Sequence, residues 1–141
     1  MSIRFVNDQI KYRIQEKAVI RKFLEKVIAE EKRTPGDLLF ILTTDEIVLD
    51  INKKFLGHDY FTDVISFDNS SGNIVNGEIY ISIDTVKRNA LIYKTCLNNE
   101  LLRVIIHGVL HLCGYRDRSK KDRDFMFDRQ EELLKEFGKE I

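Results

Sequence analysis

Apolar and polar residues change their period several times along this chain, and each change predicts an element. Ser2 to Asn7 alternates weakly, with Ile3 and Phe5 against Arg4, and reads as a first strand. Ile10 to Ile14 alternates more cleanly, with Lys11 and Arg13 between Ile10, Tyr12 and Ile14, and reads as a short edge strand. From about Gln15 to Lys32 the period is helical. Val19, Ile20, Phe23, Leu24, Val27 and Ile28 form the single stripe of a core-facing helix. Thr34-Pro35-Gly36-Asp37 reads as a turn, and the apolar run Leu38 to Leu42 as a buried central strand. Thr43 and Glu46 fit a capping box; Ile47, Val48, Ile51 and Phe55 give the next helix its inner face, and Gly57 ends it.

The second half continues in the same way. His58 to Asp63 reads as a loop, Val64 to Phe67 as a short strand and Asp68 to Asn73 as a turn cluster. Gly77 to Ile83 is the clearest alternation, with Ile79, Ile81 and Ile83 on one face and Glu78, Tyr80 and Ser82 on the other. These two strands are expected to form a hairpin, which makes the sheet mixed. Asp84 is placed as the cap of a helix reaching about Thr95, and Asn98 or Asn99 as the cap of the next. That next helix is apolar almost all round, from Leu101 to Leu112, and so is expected to run through the interior. A last helix, roughly Lys120 to Phe137, packs through Phe125, Met126, Gln130, Leu133, Leu134 and Phe137. The predicted class is α+β: one domain over 1–141, a small mixed four-stranded sheet packed with about five helices, and a zincin-like metal helix in the interior.

Composition narrows the function classes. The chain has 141 residues, of which 43% are hydrophobic, enough for a core without disulfide staples. Its 23 Lys and Arg balance 23 Asp and Glu, so any affinity for nucleic acid must be local. The two cysteines, Cys96 and Cys113, lie in no paired motif, and Met1-Ser2-Ile3-Arg4 opens no visible signal peptide; a reduced cytoplasmic setting is expected. No apolar run approaches the length of a membrane span.

Candidate chemistry gathers on the apolar helix, where Arg103, His107 and His111 form a polar row at helical spacing. His107 and His111 are four residues apart, which puts both imidazoles on one face. Gly114 is a suitable left-handed cap, and Asp117 follows it. Two histidines on a rigid helix and a carboxylate beyond its end can hold three corners of a metal and leave a fourth open. The plainer reading is two histidines satisfied by backbone or solvent. The residue after His107 is glycine rather than glutamate, so a peptidase of the His-Glu-x-x-His type would lack its usual proton acceptor.

At this point the chain resembles the YbeY family, bacterial metal-dependent endoribonucleases implicated in rRNA maturation. The stretch from His107 through His111 to Gly114 and Tyr115 is similar to the family signature. Thr62-Asp63-Val64-Ile65-Ser66-Phe67 is similar to its Thr-Asp-Val-Leu-Ser-Phe strand, Gly77-Glu78-Ile79 to its Gly-Asp-Ile, and Asn52 holds the matching position upstream. The resemblance implies hydrolysis of single-stranded RNA in 16S rRNA processing and ribosome biogenesis. It implies one divalent metal on His107, His111 and a third ligand, with His107 also catalytic. Expected partners are an rRNA precursor and the small ribosomal subunit or its assembly factors; no membrane is involved, and a monomer is expected.

Two departures bear on the site. The family ends its motif with a histidine as third ligand, and here that position is Asp117. Asp117 is taken as the replacement, with Asp122, Asp124 or water as alternatives. Zinc is the first expectation for the metal; a carboxylate ligand opens manganese, iron or nickel as alternatives. The family also places an arginine at the position of Leu56. Arg103 is a candidate stand-in as a catalytic cation and equally a structural partner of Glu100 or Asp63. Thr62, Asp63 and Ser66 are expected to line the cleft, with Asp63 orienting a histidine N–H. Arg116 and Arg118 belong to a basic stretch that either grips an RNA backbone or is an ordinary solvated loop. Cys113 is expected to be a small buried residue, and His58 to face solvent or contact substrate. The rival readings are an RNA- or ribosome-binding assembly factor with a structural metal, a metallopeptidase, and a ferrous oxygenase.

Overall fold

The computed structural model describes residues 2–138. Its elements in chain order are β1 (Ser2–Asn7), α1 (Lys17–Glu30), β2 (Thr34–Thr43), α2 (Asp45–Leu56), β3 (Val64–Asp68), β4 (Ile74–Ser82), α3 (Ile83–Ile92), α4 (Leu97–Leu112) and α5 (Lys120–Gly138). The strands form one four-stranded sheet in the order β1-β2-β4-β3. β1 and β4 pair parallel to β2, and β3 returns antiparallel to β4. The sheet is mixed, as predicted, because the parallel pairs are joined through helices and only β3 and β4 are close enough in sequence for a direct return. Among the described residues no helix is long and apolar enough to cross a membrane.

Alternation along the strands divides the sheet into two faces. Phe40 and Leu42 of β2 pair with Ile79 and Ile81 of β4, and all four are buried on the face that meets α4. On the other face the Phe67 ring meets both Tyr80 of β4 and Phe55 of α2. Helix α4 is the middle of the core: Leu101, Ile105, Ile106, Val109 and Leu110 are almost fully buried. It lies unusually close to the sheet because glycine stands on both sides of the contact. A Cβ on Gly108 would come within 3.0 Å of Ile79, and one on Gly77 within 2.6 Å of the Phe67 carbonyl oxygen and 2.9 Å of Leu112. Closeness here sets how far the histidines of α4 reach over β3.

Several local expectations are corrected, each for a tertiary reason. Ile10 to Ile14 is not a strand. Among the described residues this segment pairs with no strand of the sheet. Side chains hold it instead: Asn7 donates to the Tyr12 carbonyl, and the Tyr12 hydroxyl donates to Asn98. Thr34 to Asp37 is not a free turn but the start of β2, with a register irregularity between Pro35 and Leu38. Thr43 pairs with Ser82 inside the sheet, so the cap of α2 falls one residue later, on Thr44, whose hydroxyl accepts from Ile47 N. Ser82, not Asp84, caps α3 by accepting from Thr85 N; Asp84 accepts from the backbone of Asp45 instead. Helix α3 ends at Ile92, before Thr95, and α4 starts at Leu97 without a side-chain cap, its Asn98 bonded to Gln15.

Candidate metal centre

His107 and His111 sit one above the other on α4, ring centroids 4.7 Å apart and planes nearly perpendicular. Each is half-buried, and the Nδ1 of each is engaged. His107 Nδ1 lies 2.7 Å from Gln130 Oε1 on α5. The Gln130 amide is itself oriented, since its Nε2 donates to the Glu131 carboxylate at 3.1 Å. A carboxylate only accepts, so the amide oxygen must be the end facing His107, and His107 Nδ1 must carry the proton. His111 Nδ1 lies 3.1 Å from the Tyr115 carbonyl oxygen, also an acceptor only. Both imidazoles are therefore held in the tautomer that leaves the Nε2 lone pair free, the arrangement found behind metal-binding histidines. Burial lowers the pKa of His111 from its ordinary value, and His107 lowers it further, against a smaller opposing pull from Asp117. The ring is accordingly neutral at neutral pH.

The third corner is less fixed. Asp117 Oδ2 stands 3.7 Å from His111 Nε2, on the exposed loop after α4. Bonds of ~2.1 Å in a tetrahedron put ligand atoms roughly 3.4 Å apart. The donor set, two imidazole nitrogens and a carboxylate oxygen, thus fits a divalent cation in kind, and the His111–Asp117 pair stands near the spacing required. Among the described residues no three His, Cys, Asp or Glu side chains converge as a finished ligand set. The two histidines are carried by the core helix, and Asp117 by an exposed loop.

These side chains open onto a cleft of about 350 Å³ between α4, β3 and the loop after α2. Asp63, Asp68 and Asp117 line it, together with Thr62, Ser66, Asn52 and His58, and no lysine or arginine among the described residues does. Such a wall attracts cations and repels a bare phosphate. The Ser66 hydroxyl oxygen is buried there without a hydrogen-bond partner.

Other expected residues are placed differently. Arg103 does not line the cleft. Its guanidinium is bound by Glu131, with both oxygens at 2.9 and 3.0 Å, and by Glu100. This joins α4 to α5 and commits the side chain to structure, so its reading as a free catalytic cation is corrected. Asp63 is not the group that orients a histidine; Gln130 and the Tyr115 carbonyl are. Arg116 and Arg118 are exposed on the loop beside the site and line the cleft nowhere. Leu56, at the position of the family arginine, lines it with an apolar side chain. Cys113 is only partly buried, packed against the core rather than within it, and burial pushes its thiol up to about 11.

Comparison with known proteins now carries weight. The family model of endoribonuclease YbeY matches residues 2–138. The chain belongs to the endoribonuclease YbeY family. An endoribonuclease YbeY of Flavobacterium psychrophilum is 43% identical over 131 residues, covering 93% of this chain and 94% of that one. The YbeY protein of Parabacteroides distasonis is 37% identical over 134 residues, covering 95% and 94%. A solution structure from Thermotoga maritima superposes with a TM-score of 0.64 at 28% identity, over 96% of this chain and 89% of that one.

Within the YbeY-like domain, sequence reasoning passed over Gln130 as mere packing. Its signal was a polar residue on the buried stripe of α5, between Met126 and Leu133. Asn52 gives the same signal on α2. The Tyr115 carbonyl left none, because a main-chain acceptor has no sequence signature.

Proposed function

We infer that this chain is a metal-dependent endoribonuclease that hydrolyses single-stranded RNA in rRNA maturation. One observation carries the reading: both imidazoles of α4 have their Nδ1–H fixed by an acceptor and turn a free Nε2 towards an acidic cleft. His107, His111 and Asp117 would hold a divalent cation, zinc first and manganese, iron or nickel as alternatives. Once bound, such an ion supplies a Lewis acid for a phosphoryl oxygen and an activated water. The chain's own residues do the rest. Gln130 and the Tyr115 carbonyl keep the imidazoles aimed. Asp63 and Asp68 place carboxylates where a proton released in the cleft can be accepted. Ser66 offers a buried hydroxyl without a partner as a donor at the floor. With no lysine or arginine on the described wall, the positive charge that a phosphodiester needs must come with the cation.

The relatives' name supports this reading, and so does family membership over nearly the whole chain. The rRNA precursor, the small ribosomal subunit as partner and a cytoplasmic setting belong to the same proposal. A cleavage assay on single-stranded and duplex RNA, with zinc, manganese, iron and nickel supplied in turn to the chelated protein, tests it. Cleavage of the single strand is expected, and its loss in His107→Ala and His111→Ala. Wild-type protein inert with every metal would refute it.

A further inference from the structure

The wall of the cleft opposite α4 carries a pair of aromatic rings that the metal site does not use. His58 and Tyr60 stack with centroids 5.1 Å apart and planes 19° from parallel. The Tyr60 hydroxyl and His58 Nδ1 are hydrogen-bonded at 3.0 Å, so the rings are locked to each other. Both residues line the same cleft as His107 and His111, yet both are exposed, Tyr60 to 54%.

The loop that holds them is fastened to the core. Asn52 of α2 is only 2% exposed. Its carbonyl accepts from His58 N and its side-chain amide donates to the Tyr60 carbonyl, at 3.0 and 2.9 Å. Gly57, with φ of 68°, makes the sharp exit from α2 that this clasp requires. A buried amide thus organises an exposed aromatic pair at the mouth of a site, where the pair itself contributes little to the core. The loop itself carries Asp59 and Asp63 and no lysine or arginine, so it suits a base better than a phosphate.

We propose that the stacked His58–Tyr60 pair is a nucleobase platform, on which an unpaired base of single-stranded RNA stacks while the adjoining phosphate lies at the α4 histidines. This rests on the endoribonuclease reading. It names the feature of the substrate recognised, a flat unpaired base, which a duplex keeps inside its own stack. Two rings already parallel and locked lose little freedom when a third plane joins them.

The test uses a cleavage-resistant oligoribonucleotide carrying 2-aminopurine, titrated with metal-loaded protein. Wild type is expected to quench the fluorescent base on binding. Tyr60→Ala should weaken binding by about 5- to 100-fold and abolish the quench, whereas Tyr60→Phe, which keeps the ring, should do neither. An oligonucleotide abasic at that position should bind wild type and Tyr60→Ala alike. Unquenched fluorescence with bound wild type overturns the platform, as does equal affinity of Tyr60→Ala; either leaves the exposed rings to a protein partner. Should Tyr60→Ala fail to fold, the wild-type quench and the abasic comparison still decide. If wild type cleaves ordinary RNA normally while these arms fail, only the platform falls. If it neither binds nor cleaves, the endoribonuclease reading falls with it.

Discussion

Gln130 shows how one side chain can govern the chemistry of another. Its amide is clamped between Glu131 and His107, and that clamp selects the tautomer of His107. Gln130→Leu keeps the buried volume but removes the acceptor, leaving His107 Nδ1 without a partner. Affinity for zinc or manganese, read by competition with a chelating dye, should fall by about 10- to 100-fold. Residues of this kind are only half legible in sequence. The i, i+4 histidines announce themselves by spacing, and a polar residue within an apolar stripe announces that it has a partner. Who the partner is depends on how α4 and α5 cross, which no local pattern encodes. Arg103 illustrates the converse: its place in line with the histidines suggested chemistry, while Glu100 and Glu131 had already engaged it.

At the scale of elements, α4 reaches its depth because glycines face it from both directions. Gly77→Ala drives a methyl into a main-chain oxygen as well as Leu112, and should cost roughly 1–3 kcal/mol of stability in urea unfolding. Gly108→Ala presses on the movable side chain of Ile79 and gains ~1 kcal/mol of helix preference, so its net cost should be smaller. The starts of α2 and α3 are tied together through Asp45, which accepts from Ser82 and Thr85 at 2.5 and 2.6 Å and pairs with Arg88. Burial alone would raise the Asp45 carboxyl, but the hydroxyls and the guanidinium hold it below its ordinary 3.8. A depressed folded-state pKa gives stability that is complete above 3.8 and lost as pH falls through the lower folded value. Asp45→Asn should therefore be less stable than wild type by ~1–3 kcal/mol at neutral pH, with the gap closing in strong acid when melts are compared across pH. Caps were read within one to three residues of their places. At Thr43 sheet pairing took the residue first, whereas Ser82 ends its strand and caps α3 at once.

For the whole molecule, the two histidines belong to the hydrophobic core through α4, so a cation bound to them should stabilise the entire fold. Metal at about a hundred times its dissociation constant adds ~2.7 kcal/mol by mass action, a rise of several degrees in Tm. A double variant, His107→Ala with His111→Ala, should melt at the same temperature with and without metal. The mixed sheet and the interior helix were legible because alternation and an all-round apolar stripe follow directly from burial. The strand order was not, since β4 inserts between β2 and β3 through contacts distant in the chain. That order has a consequence for synthesis. Every strand is complete by Ser82, and α4 by Leu112, but the acceptor that aims His107 is residue 130, on the last helix. While the chain is being made, the sheet can assemble and α4 can settle on it well before the centre is competent. Until α5 is released His107 lacks the acceptor that aims it, so a nascent chain is expected to hold a cation more weakly than the finished protein.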